Sequence, residues 1–142
     1  MNATKKCPSN VRILGAALLL GALSAGTAIA ADIKVTLSGA NEVPPVTTSA
    51  SGGGTITIGD DGSVSGSVTT TGLAGTAAHI HEGAAGKNGP VIVPFTKDGD
   101  TYKAPAGAKL TAVQIASFKA GDLYVNVHTA ANPGGEIRGQ LK

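Results

Sequence analysis

The chain holds three histidines among its 142 residues, and two of them stand one residue apart in "AHIHE" (78–82). An extended strand sends alternate side chains to opposite faces, so His79 and His81 share one face while Ala78 and Ile80 share the other. The third, His128, ends "DLYVNVH", where Leu123, Val125 and Val127 form an apolar set and Tyr124, Asn126 and His128 fall opposite. In "GEIRGQL" the same alternation turns Ile137 and Leu141 inward and sets Glu136, Arg138 and Gln140 on the other side. Two imidazoles on one strand and a third on a neighbouring strand suit copper or zinc. That makes His79, His81 and His128 candidate metal ligands, with Glu136 or Asn126 as groups that could orient an imidazole. The plainer alternative is a set of solvated histidines, hydrogen-bonded to Glu82 or Glu136, with Arg138 and Glu136 as an exposed cross-strand ion pair. No serine, cysteine or carboxylate stands in a recognisable nucleophile context, so no catalytic residue is assigned.

Phase assigns faces, not neighbours. The two strands that carry His128 and Arg138 are joined only by "AANPGG", which predicts that they pair antiparallel. The rest of the chain is poor in aromatics, with Phe95, Tyr102, Phe118 and Tyr124 as the full set, and rich in Gly, Thr, Val and Ala. Short apolar alternations recur between turn signals. "IKVTLSG" (33–39) is one, and "GTITIG" (54–59) and "SVSGSVTT" (63–70) flank the hairpin turn Asp60-Asp61-Gly62. "PVIVPF" (90–95), apolar throughout, reads as a buried strand, and Lys97 to Asp100 as a turn before a short "TYK" strand. The two Asp-Gly turns lack the spaced oxygen ligands of a calcium loop. One segment differs: Thr111 with Gln114 three residues on is a capping-box signature, Ile115 and Phe118 (with Val113 or Ala116) offer an apolar face, and Gly121 offers a stop. These features predict an all-β antiparallel Greek-key sandwich with one short crossover helix near 111–119.

Residues 1–30 read as a signal peptide rather than as part of the fold. Lys5, Lys6 and Arg12 precede an apolar run from Ile13 to about Leu23, and Ala28-Ile29-Ala30 is a small-residue cleavage pattern. Cleavage after Ala30 would leave 31–142 as a single domain with no membrane span, exported to the periplasm or the medium. The one cysteine, Cys7, lies ahead of the apolar run, so the exported part has neither a disulfide framework nor a soft sulfur ligand. All the acidic residues lie beyond this segment and three of the eleven basic ones within it, so the remainder is net −1. That balance leaves no basic patch for nucleic acid.

Three separated stretches then carry a resemblance. "SGANEVPPV", "GLAGTAAHIHEGAAGKNGPVIVPF" and "LYVNVHTAANPGGEIRGQL" resemble the CHRD domain family over essentially all of 34–141. These modules occur in the secreted protein chordin and in bacterial exported proteins, and the resemblance implies extracellular binding of partners rather than catalysis. A second resemblance is to Cu,Zn superoxide dismutases, a β-sandwich family, in the order of "HIH", "VNVH" and "GGEIRG". It implies that His79, His81 and His128 correspond to three copper ligands and Arg138 to an arginine that guides an anionic substrate. It also favours copper over zinc as the cofactor. The bridging histidine, the zinc ligands and the cysteine pair of those enzymes have no counterpart here, so dismutase activity is not expected.

Two functions follow as expectations. The first is an exported, non-enzymatic CHRD-type binding module for an unidentified extracytoplasmic protein, with the loops Asn41–Pro45 and 84–89 as candidate surfaces. The second is a periplasmic copper or zinc protein with its three-histidine site on the outer face of the sandwich.

Overall fold

The computed structural model describes residues 30–142, so the expected signal peptide, residues 1–29 of it, lies outside the described residues. Nine antiparallel strands form one sheet: β1 (Ala30–Ser38), β2 (Ser51–Gly59), β3 (Val64–Thr71), β4 (Gly75–Glu82), β5 (Val91–Pro94), β6 (Thr96–Asp98), β7 (Thr101–Lys103), β8 (Leu123–Thr129) and β9 (Ile137–Leu141). Their order across the sheet is β5-β4-β8-β9-β1-β2-β3-β7-β6. The outermost strands, β5 and β6, are consecutive in the chain and separated only by Phe95, whose N–H donates to the Ala78 carbonyl. The sheet therefore curls until its two ends meet, and the facing halves enclose the core. The expected all-β antiparallel architecture is observed, built from one rolled sheet. The run β9-β1-β2-β3 has the Greek-key feature of a late strand returning beside the first.

Alternation does the sorting. In β1, Ile33, Val35 and Leu37 are buried while Asp32, Lys34 and Thr36 face water, and Ile56, Ile58, Val64 and Val68 continue the core through β2 and β3. Gly62, with φ +85°, makes the turn between those strands, as Asp60-Asp61-Gly62 predicts. From the opposite half, Ala78, Ile80, Leu123, Val125, Val127, Ile137 and Leu141 fill the space between.

The predicted helix is α1 (Ala112–Lys119), lying between β7 and β8. Thr111 accepts from the Gln114 amide and Gln114 bonds back to the Thr111 N–H, so both halves of the capping box are present. Its end is a Schellman motif: the Gly121 N–H donates to Phe118 O and the Asp122 N–H to Ser117 O, with Gly121 at φ +82°. Ile115 and Phe118 pack on the core, whereas Val113 is exposed. Among the described residues no helix is long and apolar enough to cross a membrane.

Two expectations are revised. "PVIVPF" is not a buried strand: β5 is the end strand, only Val93 is buried, and Val91 is 48% exposed. Pro90 and Pro94 bracket it, and a residue without an N–H suits a strand with a neighbour on one side only. The face opposite the core on β8 and β9 is also not an outer surface. Tyr124, Asn126 and Arg138 are each at most 2% exposed. The reason is a second layer of loops, 83–90, 39–50 and 130–136, folded across that face.

A candidate metal centre under the loops

Strand β4 lies beside β8, with Ala77 opposite His128, His79 opposite Asn126 and His81 opposite Tyr124. The three histidines therefore meet on one face, two on β4 and the third diagonal to them on β8. Ring centroids are 4.8 Å apart for His79 and His128, 5.5 Å for His79 and His81, and 5.9 Å for His81 and His128. One donor nitrogen from each lies within 4.8 Å of the others. Two ligands on one ion stand about 3.3 Å apart at a tetrahedral angle and about 4.1 Å apart when trans, so ring rotations of under about an ångström close the set.

The hydrogen bonds decide which nitrogens are free. His81 Nδ1 is 2.9 Å from the Gly89 carbonyl oxygen, and His128 Nδ1 is 2.9 Å from that of Pro133. A carbonyl only accepts, so both Nδ1 atoms carry hydrogen and both Nε2 atoms present a lone pair. His79 Nδ1 lies 3.0 Å from His128 Nε2 and donates to it in the metal-free protein. His81 Nε2 is buried and has no partner. Burial, and then the neighbouring imidazoles, push the His79 pKa below its usual 6.5. His81 is pushed down mainly by burial, partly opposed by its bond to Gly89. Both shifts favour the neutral form that a metal ligand requires.

The loop after β4 is held as firmly as a strand. Arg138 donates from Nη2 to Ala84 O (3.2 Å) and Lys87 O (2.7 Å), and from Nη1 to Asn88 Oδ1 (3.3 Å). Gln140 donates to Gly83 O at 2.9 Å. The Tyr124 ring stacks on His81 at 4.8 Å with planes 6° apart, and the Arg138 guanidinium carbon is 3.3 Å from its centroid. The Tyr124 hydroxyl accepts from the Gly89 N–H. Gly89 sits where a methyl group would overlap the Glu82 carbonyl, so only glycine lets the loop pass this close.

The other residues named from sequence are placed as follows. Glu136 touches no histidine: it accepts from Thr48 (2.8 Å), Thr129 (2.6 Å) and Asn132 (3.2 Å) and ties down the loop that supplies Pro133. Those hydrogen bonds hold its carboxyl below the ordinary range. It makes no ion pair with Arg138; the one ion pair among the described residues is Lys103 with Asp98, on the surface. Glu82 accepts from Ser117 rather than from a histidine. Asn126 lies opposite His79 on the paired strands, its Nδ2 donating to Gly134 O at 3.3 Å. Arg138 has its donors turned into the loop, so it is placed to hold 84–88 in position.

Glu42 was not singled out from sequence. It is buried, its Oε1 has no hydrogen-bond partner, and burial raises its pKa despite Arg138 and Asn126 nearby. Its only signal is "NEVPPV", which as a pattern says turn rather than buried carboxylate. The loops flagged as surfaces do meet. Asn41, Glu42, Val43 and Pro45 face Ala85 and Gly86 across a cavity of about 680 Å³, with Arg138 at its wall and no histidine.

Comparison with known families matches residues 33–141 to the CHRD domain. No curated protein and no solved structure matches the chain.

Proposed function

The chain belongs to the CHRD domain family, and on that premise we propose that it is an exported module that binds one copper ion through His79, His81 and His128. One observation carries this reading: three imidazoles converge on one face, and carbonyl bonds to Nδ1 of His81 and His128 leave the lone pairs on their Nε2 atoms. His79 joins them by giving up its Nδ1 proton and taking the Nε2–H tautomer. The backbone carbonyls of Gly89 and Pro133 then do what metal sites ask of groups outside the ligand set, which is to fix ring orientation and raise basicity. Imidazole suits both copper and zinc, and a given set of nitrogen donors binds Cu(II) more tightly than zinc. The n-region, apolar run and Ala-Ile-Ala pattern of residues 1–30 support export.

The test is titration of the 31–142 protein with copper and with zinc, beside a His79→Ala/His81→Ala variant. Stoichiometric copper binding that disappears in the variant is the expected result. Weak binding left unchanged by the substitutions would sink the reading.

A second reading follows from the cavity. The two loops that line it, 41–45 and 85–86, form a recess beside Arg138 that suits a partner of the module without any metal. Binding of a protein partner that survives loss of the histidines but not a Val43→Glu substitution in the recess would favour it.

A further inference from the structure

The strand register sets a fourth polar side chain beside the three histidines. Asn126 stands directly opposite His79 on the paired strands and two residues before His128 on β8. His79, His81, Asn126 and His128 therefore form a four-cornered group on one face of β4 and β8. The amide is not free to turn: Nδ2 donates to Gly134 O, which sends Oδ1 the other way. The side chain is 2% exposed, and Gly135 leaves just enough room, since a methyl group there would overlap Asn126 Nδ2 and Glu42 Oε1.

Oδ1 then has no hydrogen-bond partner, and neither has His81 Nε2. Both are buried acceptors. His81 Nδ1 holds that ring's proton against Gly89, so Nε2 has none to offer Oδ1. Asn126 stands opposite His79 and one diagonal step from His81 on the paired strands, so the two side chains share a face. Buried acceptors without a donor are costly, and two that share a face with three imidazoles are the arrangement a bound cation would satisfy.

We propose that Asn126 Oδ1 is the fourth ligand of the ion held by His79, His81 and His128. The inference rests on the metal-binding reading above. A neutral amide oxygen is a hard donor, so it stabilises Cu(II) and zinc and contributes little to Cu(I). The site is thereby biased toward the oxidised ion, in a chain whose exported part has no methionine or cysteine to favour the reduced one.

Cu(II) and Cu(I) affinities of the unaltered protein, Asn126→Leu and Asn126→Asp decide the matter, with the Cu(II) electron paramagnetic resonance spectrum of each. Leucine keeps the volume and removes the oxygen; aspartate keeps an oxygen. The expected result is a loss of about tenfold in Cu(II) affinity for Asn126→Leu with Cu(I) affinity unchanged, a rise in potential of about 59 mV. Asn126→Asp should bind Cu(II) at least as tightly as the unaltered protein. Equal losses for both oxidation states in Asn126→Leu would assign the residue a packing role and overturn the proposal. So would an Asn126→Asp that binds Cu(II) as poorly as the leucine variant, or an Asn126→Leu spectrum identical to that of the unaltered protein. If the unaltered protein takes up no copper, the three-histidine reading falls and this one with it; if copper binds and only the Asn126 effects are missing, the histidines stand alone.

Discussion

Replacing Arg138 with methionine keeps a long apolar stem in place and removes the guanidinium. Three oxygens lose their donor: Lys87 O, bonded at 2.7 Å, and Ala84 O and Asn88 Oδ1, at 3.2 and 3.3 Å. Hydrogen bonds from a charged donor contribute about 1.5–3 kcal/mol each. The two longer ones fall at or below the lower limit, and the loop can turn all three oxygens to water. The contact with the Tyr124 ring adds about 0.5–2 kcal/mol. Against these stands the desolvation of a cation that is only 1% exposed, which is several kcal/mol and is relieved by the substitution. A net loss of about 2–4 kcal/mol remains, or about 1–2 M in the urea midpoint at an ordinary slope for a domain of this size. The loss should be local before it is global. Hydrogen exchange at the amides of 84–89 should accelerate, Gly89 included, because the loop that carries its carbonyl to His81 is no longer clamped. Copper affinity should then fall by about 10–100-fold, as for other changes one layer behind a metal ligand. A variant within about 0.5 kcal/mol of the unaltered protein, with unchanged exchange in 84–89, would refute the account of Arg138 as the clamp of this loop.

Three further outcomes follow. Gly89→Ala forces a methyl group into the Glu82 carbonyl, so it should cost about 2–4 kcal/mol and abolish the protected His81 Nδ1–H signal in a nuclear magnetic resonance spectrum. Thr111→Ala removes the side-chain half of the capping box and should cost about 1 kcal/mol in urea denaturation, leaving copper affinity unchanged because the Thr111 side chain bonds only within the helix start. Glu136 has a folded pKa below its ordinary 4.5, so its bonds to Thr48, Thr129 and Asn132 contribute stability above that pH and lose it as the pH falls through the lowered folded value. The gap in melting temperature between the unaltered protein and Glu136→Gln should therefore be open at pH 7 and close on acidification; a gap that widens toward low pH would contradict the assignment.

Much of this architecture is legible in the sequence itself. The alternation in "IKVTLS" names the buried residues of β1, and that in "LYVNVH" names the core-facing residues of β8 but misses the burial of Tyr124 and Asn126 on its other face. The capping box and Gly121 locate α1 because those signals are local. The histidine phase was local too, and correct. What alternation could not supply is adjacency: β4 and β8 are separated by three strands and a helix in the chain, and only the tertiary fold sets Ala77 against His128. The burial of Arg138 was equally invisible. A charged residue on the off-core phase of a strand reads as solvent-facing, and what covers it is a glycine-rich loop whose own polar atoms satisfy it. Glu42 escaped for the same reason, as a lone carboxylate in a turn.

The position of β1 governs when this domain can form. It lies between β2, which follows it directly, and β9, the last of the described strands, and Ser38 is opposite Arg138 across that seam. β1 cannot acquire its second neighbour until β9 has been made, so the sheet stays open while the intervening hundred or so residues are still being added. Pairings this distant must close long loops before they gain anything, which places folding in the slow class of β proteins, milliseconds to seconds. Arg138 is on the strand that completes the seam, so the clamp on the loop beside His81 waits on the same distant pairing.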